Sequence, residues 1–359
     1  MTGQSQFADY ITRLRAFIAK AAPDDAAFAA LARDLFALQY AHVPVYRDFC
    51  RHRGVAPTDH LDWASLPALP ASAFRDYGVT SLSLAERAAC FHSSGTTGHQ
   101  PSQHFHSAAS LGVYADSART WFSHHFPDSA HHLFLSLIPS PKTAPHSSLA
   151  RMMSFIRQPA EVLQTGHCAA DGQWLVDVAA TMDALAAQIP ARPVVMLGTA
   201  FSFVHLCDAL AAQQWRIQLP PGSSAMETGG YKGCSRELSR AQLHALISRT
   251  FGLPQRAIVC EYGMCELSSQ AYDHVVGEDA PRRFRFPPWA RARVVSPETG
   301  RSVADGETGL LEIVDLANVH SVLAVQTADL AVKREDDFEL IGRAAQSEPR
   351  GCSLAAANA

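Results

Sequence analysis

Phe91-His92-Ser93-Ser94-Gly95-Thr96-Thr97-Gly98-His99-Gln100-Pro101-Ser102 is the stretch around which the rest of the chain is ordered. Of the six residues from Ser93 to Gly98, four carry hydroxyls and two are glycines. Glycine removes the Cβ obstruction and permits positive φ, so backbone N–H groups can close on an anion while the hydroxyls add neutral donors. The composition suits a phosphate cradle, although a polar surface turn is the commoner outcome of composition alone. It is not a Walker A loop, because no Gly-Lys-Ser/Thr closes it and no long apolar helix follows.

Outward from the loop, a short apolar segment, Ala88 to His92, precedes it and a loosely alternating one through Gln103, Phe105 and Ser107 follows, which reads as strand, loop, strand. A helix from about 107 to 124 comes next, carrying Leu111, Tyr114 and Trp121. Leu133 to Ile138 reads as a buried strand ended by Pro139-Ser140-Pro141. Leu175 to Ala187 is read as helix, Pro193 to Leu197 as a strand opening into Gly198-Thr199-Ala200, and Phe201 to Gln214 as helix. Strands alternating with helices from 90 to 270 argue for an α/β fold with a largely parallel sheet. Glycine-bearing stretches fall where strands should end, at Glu227-Thr228-Gly229-Gly230-Tyr231-Lys232-Gly233 and at Glu261-Tyr262-Gly263-Met264-Cys265-Glu266. Open α/β sheets bind ligands beyond the carboxyl ends of their strands.

The N-terminal part is helical by spacing. Phe7, Tyr10, Ile11, Leu14, Phe17 and Ile18 form one stripe, and Phe28, Leu31, Leu35, Leu38 and Tyr40 most of another, with Pro23-Asp24-Asp25 between them as break and acidic helix start. From 284 onward the texture changes to short strands and turns, at Ala292 to Val295, Gly309 to Val314 and Val322 to Gln326.

Composition narrows the function classes. At 359 residues and 47% apolar content there is ample material for a globular core. A net charge of −4 without a Lys/Arg cluster gives no footprint for nucleic acid. Met1 to Gln6 lacks a basic and apolar leader, and no stretch approaches a membrane span, so the expectation is a cytoplasmic protein with no membrane partner. Eight cysteines without a Cys-x-x-Cys pair suit reduced thiols. The doublets His124-His125 and His131-His132 lack metal-ligand spacing.

Taken in order, the motifs resemble the adenylate-forming superfamily of acyl-CoA synthetases and luciferases. Ser93-Ser94-Gly95-Thr96-Thr97-Gly98 matches its phosphate loop; Tyr262-Gly263-Met264-Cys265-Glu266 resembles its Tyr-Gly-x-Thr-Glu; Gly306-Glu307-Thr308-Gly309 its Gly-Glu-x-Gly; Thr327-Ala328-Asp329 its Thr-Gly-Asp; and Gly342-Arg343 its hinge start. Each is short, and their order carries the weight. Within that superfamily the chain resembles the acyl-protein synthetase family of bacterial bioluminescence, LuxE-like, at Leu69-Pro70-Ala71-Ser72-Ala73-Phe74, at 227 to 233, at Asp315-Leu316-Ala317-Asn318 and at Arg350-Gly351-Cys352-Ser353-Leu354.

The resemblance implies an adenylate-forming α/β fold with parallel sheets, flanking helices and a small β-rich subdomain. The implied organisation is a helical extension over 1–65, a nucleotide-binding core over 66–283, the β-rich part over 284–345 and a tail over 346–359. It implies ATP and Mg2+: Ser93, Ser94, Gly95, Thr96, Thr97 and Gly98 on the phosphates, Glu266 on the metal, Tyr262, Gly229 and Gly230 by the adenine, Gly263 among the cofactor-binding residues, Asp329 on the ribose, and Arg343 facing the nucleotide. Backbone donors, Mg2+ and cations there would stabilise charge that builds on phosphate oxygens as a carboxylate attacks the α-phosphorus.

Departures from the pattern are equally specific. Ser102 and Gln103 follow Pro101 where a lysine is usual, Cys265 replaces a threonine, and only 16 residues follow Arg343, too few for the superfamily's small C-terminal lid domain. Lys232 is a candidate for the missing cation. Cys352 lies two residues after Arg350, whose guanidinium would favour the nucleophilic thiolate, and it falls where the resembling family carries its acyl group. The implied function is activation of a carboxylic acid, with Phe201, Phe203 and Met226 favouring an apolar one, then acyl transfer to a thiol such as Cys352 for a protein partner, an acyl reductase or carrier protein. Two alternatives stand beside it: a ligase delivering acyl or aryl groups to CoA or a carrier thiol, and a non-catalytic acyl-binding scaffold subunit.

Overall fold

The computed structural model describes residues 3–93, 100–157, 161–170, 172–188, 192–215, 217–230 and 236–344. They group into two compact units. One takes in the described residues up to Ser117, Cys265–Ser269, and those from Arg283 onward; the other takes in Ala118–Met264 and Gln270–Arg282. The units thus cut across the stretch 66–283.

The first unit begins with helices Gly3–Lys20, Asp25–His42 and Pro44–His52. The first helix buries Phe7, Tyr10, Ile11, Leu14, Phe17 and Ile18, the stripe read from the sequence. Asp24 caps the second by accepting from Ala27 N at 2.9 Å, and Pro44 opens the third, where a missing N–H costs nothing. The second stripe departs from expectation: Leu38 and Tyr40 are only half-buried, and Gln39 is fully buried in their place.

The sheet of this unit is organised by one long strand, Ala324–Arg334. On one edge it pairs antiparallel with Thr308–Asp315, which pairs in turn with Ala290–Val295. On the other edge its beginning pairs parallel with Leu69–Pro70 and its end antiparallel with Asp337–Arg343. The strand runs eight residues beyond the expected end at Gln326, and the strand Asp337–Arg343 is not among those expected. A tight turn closes the hairpin through Glu335 at φ 56°, an unusual conformation for a glutamate and one that its sequence does not announce. A separate two-stranded hairpin, Ala89–His92 with Gln103–His106, carries the glycine-rich loop, as expected.

The second unit holds a six-stranded sheet in the order Ala271–Tyr272, Ile258–Tyr262, Ser224–Thr228, Val194–Thr199, Leu133–Ser136, Val162–Gln164. All pairings are parallel except that of the edge strand Ala271–Tyr272. Strands covered on both faces read as continuous apolar runs, and Val194–Thr199 and Leu133–Ser136 are buried at every position. Helices Val178–Gln188, Ala200–Ala212 and Arg240–Phe251 follow these strands, and Leu135, Met196, Phe203, Leu206, Leu243 and Ile258 belong to one core cluster. One expectation is corrected here. Trp174–Val176 is a strand paired with Gly166–Cys168, and the helix begins only at Val178, after Asp177, whose carboxylate accepts from Ala180 N at 2.9 Å.

Among the described residues no helix is long and apolar enough to cross a membrane.

Candidate functional site

In the first unit the candidate site is built on a turn, Cys265–Ser269. Glu266 at its head is only 6% exposed, and Oε1 of its carboxylate accepts from Ser102 Oγ at 2.5 Å. Ser102 closes the base of the glycine-rich loop. Its N–H donates to Ser93 Oγ at 3.0 Å, and Ser93 N–H donates to the Ser102 carbonyl at 3.1 Å. The hydroxyl at the usual lysine position therefore ties the loop's base to the carboxylate. Ser94, Gly95, Thr96, Thr97 and Gly98 lie outside the described residues.

Burial pushes the Glu266 carboxyl up. The Ser102 hydrogen bond and the Arg343 charge pull it back down, while Asp329 adds to the rise. Asp329 and Arg343 are cross-strand partners where Ala324–Arg334 meets Asp337–Arg343, and Arg343 Nε donates to Asp329 Oδ1 at 3.1 Å. Arg343 is 79% exposed at its side chain, so the pair adds little to stability and leaves the guanidinium accessible to a ligand. Asp329 N–H donates to Thr327 Oγ1 at 3.0 Å, and Thr327 Oγ1 donates to the Leu311 carbonyl at 2.8 Å, so Thr327 fixes the backbone that presents Asp329.

The turn is knitted in from several sides. His104, on the strand after the glycine-rich loop, donates from Nδ1 to the Cys265 carbonyl at 2.9 Å, and its Nε2 meets Ser321 Oγ at 3.0 Å. A carbonyl can only accept, so Nδ1 carries the proton and Nε2 accepts from Ser321. Burial holds this histidine down to about 4, so it is neutral. Asn318 Nδ2 donates to the Glu266 carbonyl at 2.9 Å. Asp315, fully buried, accepts from Ser268 N at 2.9 Å, Ser269 Oγ at 2.7 Å and Ala317 N at 2.9 Å.

In the second unit, Gly229 and Gly230 follow the strand Ser224–Thr228 and are exposed; Gly229 has φ 74°, a conformation that favours glycine. Tyr262 ends the strand Ile258–Tyr262 and is buried. Gly263 is exposed, and a Cβ there would stand 2.5 Å from Glu261 Oε1. Glu261 itself is 4% exposed and accepts from Thr228 Oγ1. Burial pushes its carboxyl up to about 7; the Thr228 hydrogen bond opposes the rise and Glu227 adds to it.

Lys232 and Cys352 lie outside the described residues. Of the predicted residues, the first unit brings together Ser93, Glu266, Asp329 and Arg343, and the second carries Gly229, Gly230, Tyr262 and Gly263. Sequence reading gave no role to Ser102, His104, Asp315, Asn318 or Glu261. The signal for two of them was present in Asp315-Leu316-Ala317-Asn318, a motif with polar ends and an apolar middle.

No group of three or more His, Cys, Asp or Glu residues able to hold a metal occurs among the described residues. Mg2+ commonly takes only one or two carboxylates and completes its shell with substrate phosphates and water. Glu266, a hard oxygen donor beside the base of the loop, fits that arrangement.

Against known proteins, the sequence model of the family described as acyl-protein synthetase, LuxE, matches residues 172–359, more than half of the chain. Over 347 residues the chain is 24% identical to a long-chain-fatty-acid–luciferin-component ligase of Aliivibrio fischeri, covering 91% of this chain and 87% of that protein. It is 21% identical over 347 residues to the ligase of the same description from Vibrio harveyi, covering 92% and 87%. Among solved structures, an open conformation of 2-hydroxyisobutyryl-CoA ligase in complex with 2-HIB-AMP and CoA matches with a TM-score of 0.67 at 15% identity, covering 89% of this chain and 74% of that one. The likeness shows the fold, the α/β architecture expected from the motifs.

Proposed function

The chain belongs to the acyl-protein synthetase family, and from that premise we propose that it activates a carboxylic acid with ATP and passes the acyl group to a thiol, Cys352, for delivery to a protein partner. In the first half-reaction a carboxylate oxygen of the acid attacks the α-phosphorus, the bond to the β-phosphate breaks, and pyrophosphate leaves the acyl adenylate behind. In the second, the Cys352 thiolate attacks the acyl carbonyl, the bond to AMP breaks, and a thioester remains. The partner that accepts the acyl group is an acyl reductase or a carrier protein. The acid is apolar, in keeping with the long-chain fatty acid in the names of the two curated relatives.

Each residue has a distinct task. Backbone N–H groups and hydroxyls of Ser93 to Gly98 bind the phosphates, and Ser102 holds the base of that loop to Glu266. Glu266 holds Mg2+, which when bound neutralises charge on the phosphate oxygens. Asp329 binds the ribose hydroxyls, with its carboxylate oriented by Arg343 and its backbone by Thr327. Arg343, with most of its side chain exposed, supplies positive charge to the nucleotide. Tyr262, Gly263, Gly229 and Gly230 border the adenine, and Lys232 supplies the cation that Ser102 does not. These donors act where charge develops, which is the usual source of the largest catalytic effect.

The observation that carries the reading is the hydrogen bond from Ser102 to Glu266, because it joins the first and second motifs of the ordered series in one place. Acid-dependent ATP–pyrophosphate exchange tests it. Exchange that requires both Mg2+ and an added carboxylic acid is expected, with apolar acids preferred; a panel of fatty and aryl acids that supports none contradicts it.

A further inference from the structure

Among the described residues the hydrogen bonds of the Asp315 carboxylate run to Ser268, Ser269 and Ala317, none of them assigned above to ATP, Mg2+ or the acid, yet they anchor the turn that carries Glu266. Asp315 ends the strand Thr308–Asp315, is fully buried, and is held from both sides of its carboxylate. Oδ2 accepts from Ser268 N, and Oδ1 accepts from both Ser269 Oγ and Ala317 N. Because Ser269 gives its proton to Asp315, the 3.1 Å contact between Ser117 Oγ and Ser269 Oγ runs from Ser117 as donor. Ser117 in turn accepts from Trp289 Nε1 at 2.8 Å. A relay of Trp289, Ser117 and Ser269 therefore ends on Asp315. Two residues before Ser268 stands Glu266, whose carbonyl is held by Asn318 of the same motif.

The motif is itself fixed from outside. Gln39, the buried glutamine of the second helix, donates to the Asn318 carbonyl at 2.7 Å and accepts from Leu323 N at 2.8 Å. Tyr10 of the first helix donates to the Leu316 carbonyl at 2.9 Å. The residues from 315 to 323 are thus clamped between the N-terminal helices and the turn.

We propose that Asp315 is a positioning residue for metal binding: it locks the Cys265–Ser269 turn so that the Glu266 carboxylate is presented to Mg2+ in one fixed orientation, with Gln39 and Asn318 bracing the lock. The burial of a carboxylate with three donors is otherwise a costly way to hold a turn, since well-packed apolar groups do the same without desolvation. Partners that orient a metal ligand are worth about 10- to 100-fold in metal affinity or activity when removed. The inference rests on the adenylation reading for the identity of the bound group, Mg2+ with ATP, and concerns only this chain's residues.

The test compares wild type, Asp315→Asn and Ser269→Ala in two measurements. Asparagine keeps the shape of Asp315 but turns an N–H2 toward a donor, so one hydrogen bond becomes a repulsive contact. In acid-dependent ATP–pyrophosphate exchange, the Mg2+ concentration for half-maximal rate rises about 10- to 100-fold in Asp315→Asn, while the KM for the acid stays within about twofold. Without any acid, ATP alone raises the melting temperature of all three proteins, and the further rise on adding Mg2+ is lost in Asp315→Asn. A role confined to stability lowers the melting temperature but leaves the Mg2+ half-saturation and the Mg2+ increment as in wild type, and that result overturns the inference. Where Asp315→Asn fails to fold, Ser269→Ala decides: a several-fold rise in Mg2+ half-saturation or a reduced Mg2+ increment supports it, and wild-type values overturn it. A wild type that shows the Mg2+ increment but no exchange contradicts the adenylation reading, and the Asp315 inference is then read from the increment alone. A wild type without the increment overturns the inference.

Discussion

Glu261 and Glu266 stand five positions apart in the chain, both buried and each accepting a hydrogen bond from a hydroxyl, Thr228 for one and Ser102 for the other. What surrounds them differs. The causes acting on Glu261 are burial, a neighbouring carboxylate at Glu227 and the Thr228 hydroxyl, and its carboxyl is pushed up to about 7. Glu266 is raised by burial too, but the Arg343 charge draws it back toward the ionised form. Burial thus raises both carboxyls, and the difference lies in what opposes it: a hydroxyl alone at Glu261, and a hydroxyl together with a guanidinium at Glu266. Their carboxylates cannot be distinguished by residue type, only by what faces them.

The largest effect that separates the pair is catalytic. Glu266→Gln keeps the size and the acceptor for Ser102 but removes the charge, and acid-dependent exchange is expected to fall by about 10²–10³-fold, within the range seen when an aligned electrostatic group is removed. Glu261→Gln is expected to stay within about threefold of wild type in the same assay. Equal losses in both variants would erase the distinction between the two carboxylates.

A second contrast concerns the stability of the folded chain against pH. The Glu261 carboxyl loses its proton near the ordinary 4.5 when unfolded and near 7 when folded, so the native state binds the extra proton between those values. The stabilising contribution is complete below 4.5, declines as pH rises, and is gone above about 7. Its size is roughly 3 kcal/mol. His104 and His320, both held down to about 4 by burial, act in the opposite sense between 4 and 6.5, so the total slope is mixed and the difference between proteins isolates Glu261. Glu261→Gln should match wild type near pH 4.5 and exceed it at pH 8 by up to that amount in urea unfolding. A difference that does not change with pH would remove Glu261 from its neutral role.

The smallest effect tests the tie between loop and carboxylate. Ser102→Ala deletes the hydroxyl that donates to Glu266, at a cost of about 1 kcal/mol or several-fold in exchange rate. A rate unchanged from wild type would mean that Glu266 is held by its turn alone.

How much of this was legible in the sequence follows from the range of the forces involved. The strands Leu133–Ser136 and Val194–Thr199 announce themselves as apolar runs, because burial on both faces leaves polar side chains only at their last residues, Ser136 and Thr199. The strands Ala89–His92 and Gln103–His106 flank the glycine-rich loop as its setting predicts, whereas the strand Ile258–Tyr262 runs two residues into the stretch expected to follow it. Gln39 and His104 did not stand out. A polar residue on a helix or strand reads as exposed until its partner is known, and the partners here are Asn318, Leu323, Cys265 and Ser321, all more than 150 positions away. The strand Asp337–Arg343 went unread because the hairpin turn before it is made by Glu335 and Asp336 rather than by glycine. Leu175 and Val176 belong to a strand rather than to the expected helix, because a short apolar run leading into a helical pattern carries no period of its own.

The most direct test of the account is the intact mass of the protein after incubation with ATP, Mg2+ and an apolar carboxylic acid that supports exchange. Wild type is expected to gain the mass of one acyl group, removable by hydroxylamine, while Cys352→Ser exchanges pyrophosphate at the wild-type rate and yields no hydroxylamine-labile adduct. An adduct that forms equally on the Cys352→Ser protein, or a wild type that makes acyl adenylate and never acquires the mass, would contradict it.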